Sequence, residues 1–95
     1  MENVAERVSA LMKSLSHRSR LLTLCQLVDG PRAVGELAEA LGLSQPAMSQ
    51  QLAVLRREGL VTTRRKGQTV FYELPAGEVR KLLRFLHRTF CGAEA

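Results

Sequence analysis

Residues 34–60 read VGELAEALGLSQPAMSQQLAVLRREGL, and the reading of this stretch decides the fold. Leu37, Ala38 and Leu41 recur at helical spacing and are followed by Gly42, a residue suited to the left-handed conformation that ends a helix. Ser44 then offers an N-cap oxygen to a second helix, in which Met48, Leu52 and Leu55 form the inward face. The small Ala38 lets the two helices cross closely, so the stretch predicts a helix-turn-helix over residues 34–58, with an ordinary hairpin of two helices as the alternative on this stretch alone. The other face of the second helix carries Gln45, Ser49 and Gln50. These uncharged side chains both donate and accept hydrogen bonds, as the edges of base pairs in a major groove require, whereas an ordinary solvated helix shows Glu and Lys there.

Downstream, residues 60–64 and 69–74 are rich in Val, Thr, Phe and Tyr, and the four residues Arg65-Lys66-Gly67-Gln68 stand between them. That pattern predicts a β-hairpin over 60–74 with a basic tip. Five of the eleven residues from Arg56 to Lys66 are cationic (Arg56, Arg57, Arg64, Arg65, Lys66) against one Glu. Placed directly after the reading helix, they are suited to phosphate contacts that add affinity and salt dependence but little sequence preference.

Upstream, Asn3 and Glu6 have capping-box spacing, and Val4, Val8, Leu11, Met12 and Leu15 trace the apolar stripe of a first helix over 3–15. A second helix opens at Ser16 or His17 and runs through Leu21, Leu22, Leu24, Cys25, Leu27 and Val28 until Asp29-Gly30-Pro31 stops it, with so little polar face that it should be buried. A last helix over 77–91 carries Val79, Leu82, Leu83, Leu86 and Phe90 and should pack on the first.

The 95 residues form one domain, mostly α with a small β-hairpin, and a chain of this length buries only roughly 60–65% of the surface its unfolded form exposes. With aromatics at 4%, the core must be mostly Leu and Val, and the stripes of the terminal helices exceed what one small core can cover. A homodimer through the helices at 3–15 and 77–91 is expected. The formal charge of +5 suits a polyanion partner. The first fifteen residues lack a signal-peptide pattern, and no segment has the length of a membrane span, so the expected location is cytoplasmic. In that reducing setting Cys25 and Cys91 can be buried filler, metal ligands or a reactive dithiol.

The segments LSQPAMSQQLAVLRREGLV and RRKGQTVFYEL, in this order of helices and hairpin, resemble the ArsR/SmtB family of winged-helix bacterial repressors over nearly the whole chain. The resemblance implies DNA-reading positions at Gln45, Pro46, Ser49 and Gln50, and a wing comprising Arg64, Arg65, Lys66 and Gln68. It also implies a homodimer that converts a chemical signal into a change of operator affinity. The family's arsenic-type cluster would fall on residues 32–36, which hold no thiol, and its zinc-type site of carboxylates and imidazoles on the last helix, where this chain has Pro75-Ala76-Gly77 near the beginning and only His87 later. Cys25 on the second helix and Cys91 on the last match the sulfide- and persulfide-responsive branch of BigR, SqrR and HlyU, which implies a redox-sensing dithiol.

Arg84, His87 and Arg88 precede Cys91 by seven, four and three residues and supply cations near its thiolate, so Cys91 is assigned as the attacking thiol and Cys25 as its resolving partner. The sequence thus describes a transcriptional regulator, a repressor by its resemblance, that binds an inverted-repeat double-stranded operator and is switched by reactive sulfur or an oxidant, with no cofactor and no resident metal. The nearest rival is a metal sensor that uses Cys25, Cys91 and His87, although three ligands make a poor closed zinc site. A thiol oxidoreductase is disfavoured by the lack of a Cys-x-x-Cys pair, so no enzyme is expected; a DNA binder indifferent to thiol state is the third alternative.

Overall fold

The structure, a computed structural model, describes residues 2–90. Helices α1 (Glu2–Leu15) and α2 (Arg18–Cys25) lead into strand β1 (Arg32–Ala33) and the pair α3 (Val34–Leu41) and α4 (Gln45–Arg57). Strands β2 (Thr62–Lys66) and β3 (Thr69–Glu73) and helix α5 (Glu78–Phe90) complete the described chain. This is a winged helix-turn-helix.

Local chemistry accounts for the turn. Gly42 adopts φ +68, which a side chain would strain, and lets Leu43 N–H reach Ala38 O at 2.9 Å and Gly42 N–H reach Glu39 O at 3.3 Å. This Schellman closure occupies carbonyls that would otherwise be left without partners. Ser44 then accepts from Ala47 N–H at 3.3 Å, and Pro46 sits in the first turn of α4, where its missing N–H costs nothing. At the start of α3 the Glu36 carboxylate accepts from Ala33 N–H at 2.9 Å. Leu37, Met48, Leu52 and Leu55 are fully buried and join Leu24, Leu74 and Leu83 in an aliphatic core.

Several expectations are corrected. Asn3 lies inside α1, which already includes Glu2, so it is not an N-cap. The α-helical part of α2 ends at Cys25. Leu27 N–H bonds Leu24 O and Val28 N–H bonds Cys25 O, one residue closer than in an α-helix, so the chain tightens into turns before Gly30. Nor is α2 buried all round, since Leu22 is 40% exposed. The hairpin loop has two residues, Gly67 and Gln68, because Arg65 pairs with Val70 and Lys66 with Thr69 in the ladder. Gly67 takes φ +64 at the first turn position and Gln68 takes no positive φ at the second, the combination of a type II′ turn, whose twist matches that of the strands. Leu60 and Val61, expected in the strand, are instead buried in the core. The sheet also gains β1, which pairs Arg32 with Tyr72 and Ala33 with Phe71 and makes β3 the central strand.

Helix α5 packs chiefly on α2 rather than on α1. It meets α1 through the exposed Arg7–Glu78 ion pair at 2.8 Å, beside an open groove walled by Val4, Val8, Leu11 and Val79. Val4, Val8 and Met12 on α1, and Phe85 and Phe90 on α5, leave large apolar surfaces exposed.

Three helices meet at Arg20. Its Nη1 donates to Ser14 O at 3.1 Å and to Glu58 Oε1 at 2.9 Å, while Nη2 donates to Glu58 Oε2 at 2.8 Å. The two Arg20 bonds to its carboxylate hold Glu58 below its ordinary pKa. A carboxylate with a lowered folded-state pKa contributes stability above its unfolded value, about 4.3, and loses that contribution as pH falls through the folded value. Glu58→Gln is therefore expected to melt below wild type at pH 7 and to converge with it towards pH 3. Thermal unfolding at the two pH values checks the sign.

Candidate nucleic-acid interface and sensing cysteines

With Met48, Leu52 and Leu55 inward, the 100° step of a helix places Pro46, Gln50 and Arg57 at the centre of the opposite face of α4 and Gln45, Ser49 and Arg56 on one flank. All six are exposed. Gln45 differs from Gln50 in its surroundings: its Nε2 lies 3.4 Å from where a Cβ on Gly35 would stand, so its amide rests against the start of α3. Gln50 lies with Ala47, Val54 and Arg57 along a shallow depression that also includes Leu43, a 40% exposed apolar side chain in the turn. Nothing in the sequence marks Leu43 as a surface residue, because a leucine between two helices reads as core.

The wing is two-sided. Arg64 and Lys66 share a face with Phe71, whereas Arg65 shares the other with Val70, because residues paired across an antiparallel ladder point the same way. Arg64, Arg65, Lys66 and Gln68 are all exposed. Arg64 is nonetheless partly committed, since its Nε lies 3.4 Å from Glu73 Oε2. Arg80 of α5 approaches Glu73 Oε1 at 3.8 Å and also donates to Leu74 O. Sequence reasoning misses Glu73, because only the register brings it beside Arg64.

Cys25 ends α2, half-buried and packed against the core among aliphatic side chains. Cys91 lies outside the described residues, and the structure follows α5 to Phe90, the residue before it. His87 is half-buried on α5. Among the described residues no group of three or more His, Cys, Asp or Glu side chains is placed to hold a metal ion, and no helix is long and apolar enough to cross a membrane.

A family model described as "Bacterial regulatory protein, arsR family" matches residues 17–63, which span α2 to the start of β2. The transcriptional activator HlyU of Vibrio cholerae serotype O1 is 47% identical over 93 residues, covering 98% of this chain and 86% of that protein. The chain belongs to the ArsR family. The crystal structure of the transcriptional repressor BigR from Xylella fastidiosa superposes on this ArsR-family chain with a TM-score of 0.90 and 44% identity, over 100% of this chain and 94% of that one. A homodimeric winged helix-turn-helix DNA-binding domain from Mycobacterium bovis, Mb0332, gives a TM-score of 0.77 at 30% identity, over 93% of this chain and 82% of that one. HlyU and BigR are members of the branch that the sequence motifs resemble, and the chain is an ArsR-family transcriptional regulator.

Proposed function

We propose that this chain is a homodimeric repressor whose reduced form binds an inverted-repeat operator and whose Cys25–Cys91 dithiol responds to reactive sulfur. The observation that carries the DNA reading is the outer face of α4. It presents exposed neutral hydrogen-bonding groups, Ser49 and Gln50, at its centre and flank, with Arg56 and Arg57 at its end and a basic wing following in sequence. Neutral amides and hydroxyls discriminate base edges, while guanidinium and ammonium groups hold phosphates. Gln45 and Pro46 belong to the same proposed surface, as does Gln68 at the wing tip.

Dimerisation is supported by the apolar surface left on α1 and α5, and by the homodimeric state of the Mycobacterium bovis neighbour. A twofold axis would set the two α4 helices about one helical turn of DNA apart, roughly 10 base pairs between half-site centres. The switch is supported by the packing of α5 on α2: the helix that leads to Cys91 lies against the helix that ends in Cys25. The Cys91 thiolate attacks the outer sulfur of a persulfide, RSSH, and releases RSH. The Cys25 thiolate then attacks the Cys91 sulfur of the new cysteine persulfide, so that a Cys25–Cys91 disulfide forms and hydrogen sulfide leaves. Two cysteine thiols are oxidised and the persulfide is reduced.

The division of labour on DNA gives distinct expectations. Gln50→Ala or Ser49→Ala should weaken binding to a selected operator about tenfold and leave binding to random duplex nearly unchanged. Arg65→Ala or Lys66→Ala should weaken binding to both and make the slope of log K against log salt shallower by about one unit. Arg64→Ala should change that slope less, because Glu73 already engages its guanidinium. Fluorescence anisotropy over a salt series separates the classes.

The function itself is tested by operator binding of one sample divided into reduced, metallated and persulfide-treated portions. Release by persulfide alone supports the reading. Release by Cu(I) or Zn alone favours the metal sensor with Cys25, Cys91 and His87 as ligands, and equal affinity in all three portions overturns both.

A further inference from the structure

Arg20 and Glu58 are 38 residues apart in sequence, one on α2 and the other capping the C-terminus of α4, and they meet in a bidentate fork at 2.9 and 2.8 Å. Their side chains are 21% and 36% exposed, so the pair is partly shielded from water. The same guanidinium also reaches the Ser14 carbonyl at the end of α1. Further along the α2–α4 seam lies Thr23, fully buried, whose hydroxyl stands 2.9 Å from Ser19 O and 3.4 Å from Gln51 Oε1 of α4.

Apolar side chains at a helix seam tolerate small slides, because dispersion attraction is non-directional and a group that leaves one neighbour meets the next. A planar fork does not, since both of its N–H bonds must stay aligned with one carboxylate. We propose that Arg20 and Glu58 are a positioning pair that sets the roll and axial position of α4. Operator discrimination then depends on two residues that read no base. The proposal rests on the assignment of α4 as the DNA-reading helix. Ser49 and Gln50 lie about two to two and a half turns before the anchored Glu58, so freeing that end shifts the groups that must meet base edges while leaving the net positive surface in place.

Charge alone shifts affinity for all DNA alike whereas positioning shifts the preference between sequences, which permits a clean test. Glu58→Gln removes a negative charge and should raise affinity for any DNA by simple electrostatics, while Arg20→Gln should lower it. If the pair positions α4, both variants must lose preference. The probes are a duplex selected by wild-type protein from a randomised inverted-repeat pool and a scrambled duplex of the same length. The expected result is a fall of about five- to tenfold in the ratio of the two affinities for Glu58→Gln and Arg20→Gln alike.

Arg20→Lys, which keeps the charge but cannot form the fork, should fall with them. The Arg20→Gln/Glu58→Gln double variant should be no worse than the poorer single variant, as expected for one shared interaction. Circular dichroism confirms folding, and Glu58→Gln with Arg20→Lys carries the test if Arg20→Gln does not fold. A ratio within about twofold of wild type in those two variants, or losses that multiply in the double variant, overturns the proposal. A wild-type protein that yields no preferred duplex overturns the DNA-reading assignment beneath it as well.

Discussion

Serine in place of Cys91 is expected to leave operator binding of the reduced protein within about twofold of wild type and to abolish the response to persulfide. Serine is close to cysteine in size but cannot exchange sulfur, so the substitution removes the chemistry and little else. Cys25→Ser should give the same loss of response by a different route: the cysteine persulfide forms on Cys91 and goes no further. Cys25 packs against the aliphatic core, so its serine variant should also melt at a lower temperature than wild type.

In the proposed switch the lever is the contact that α5 makes with α2. A covalent bond across it can displace α2, which also carries Arg20 and its fork to α4, and a tenfold loss of affinity requires only about 1.4 kcal/mol of differential binding. Mass spectrometry of the treated protein should show the Cys25 and Cys91 peptides joined within one chain. Release of DNA by Cys91→Ser protein after persulfide treatment, or a bridge between two chains, would falsify the intrachain switch.

Val8→Glu is expected to convert the dimer to monomer and to reduce operator affinity by about 100-fold or more, equivalent to about 2.7 kcal/mol. Val8 is 47% exposed on α1, between Val4 at 49% and Met12 at 48%, so a carboxylate there is solvated in the monomer and leaves its fold intact. In a dimer that covers this stripe the carboxylate would be buried without a partner, at a cost of several kcal/mol per subunit. The operator loss follows because a monomer engages one half-site where the dimer engages two. Phe85→Glu on α5, where the ring is 53% exposed, should act in the same direction. Sedimentation velocity reads the mass, and an unchanged dimer in both variants would place the interface elsewhere.

The sequence by itself determined the helix-turn-helix, because every signal that builds it is short-range. The Ser44 cap reaches Ala47, the Gly42 closure spans Ala38 to Leu43, and the inward Met48, Leu52 and Leu55 repeat at the period of one helix. The hairpin was legible as composition, but its register was not: a loop of four residues and one of two read alike until the ladder pairs Arg65 with Val70 and Lys66 with Thr69. That register separates Arg65 from Arg64 and Lys66, and it sets Glu73 against Arg64.

Tertiary structure alone decided β1, two residues with no pattern of their own that become a strand only by pairing with β3. It also decided that α5 docks on α2, which aligned stripes on α1 and α5 could not foretell, since an apolar stripe specifies that it must be covered but not by what. The Arg20–Glu58 fork is of the same kind. Exposed-looking charges far apart in sequence carry no mutual signal, and only the crossing of α2 with the end of α4 brings them within hydrogen-bonding distance.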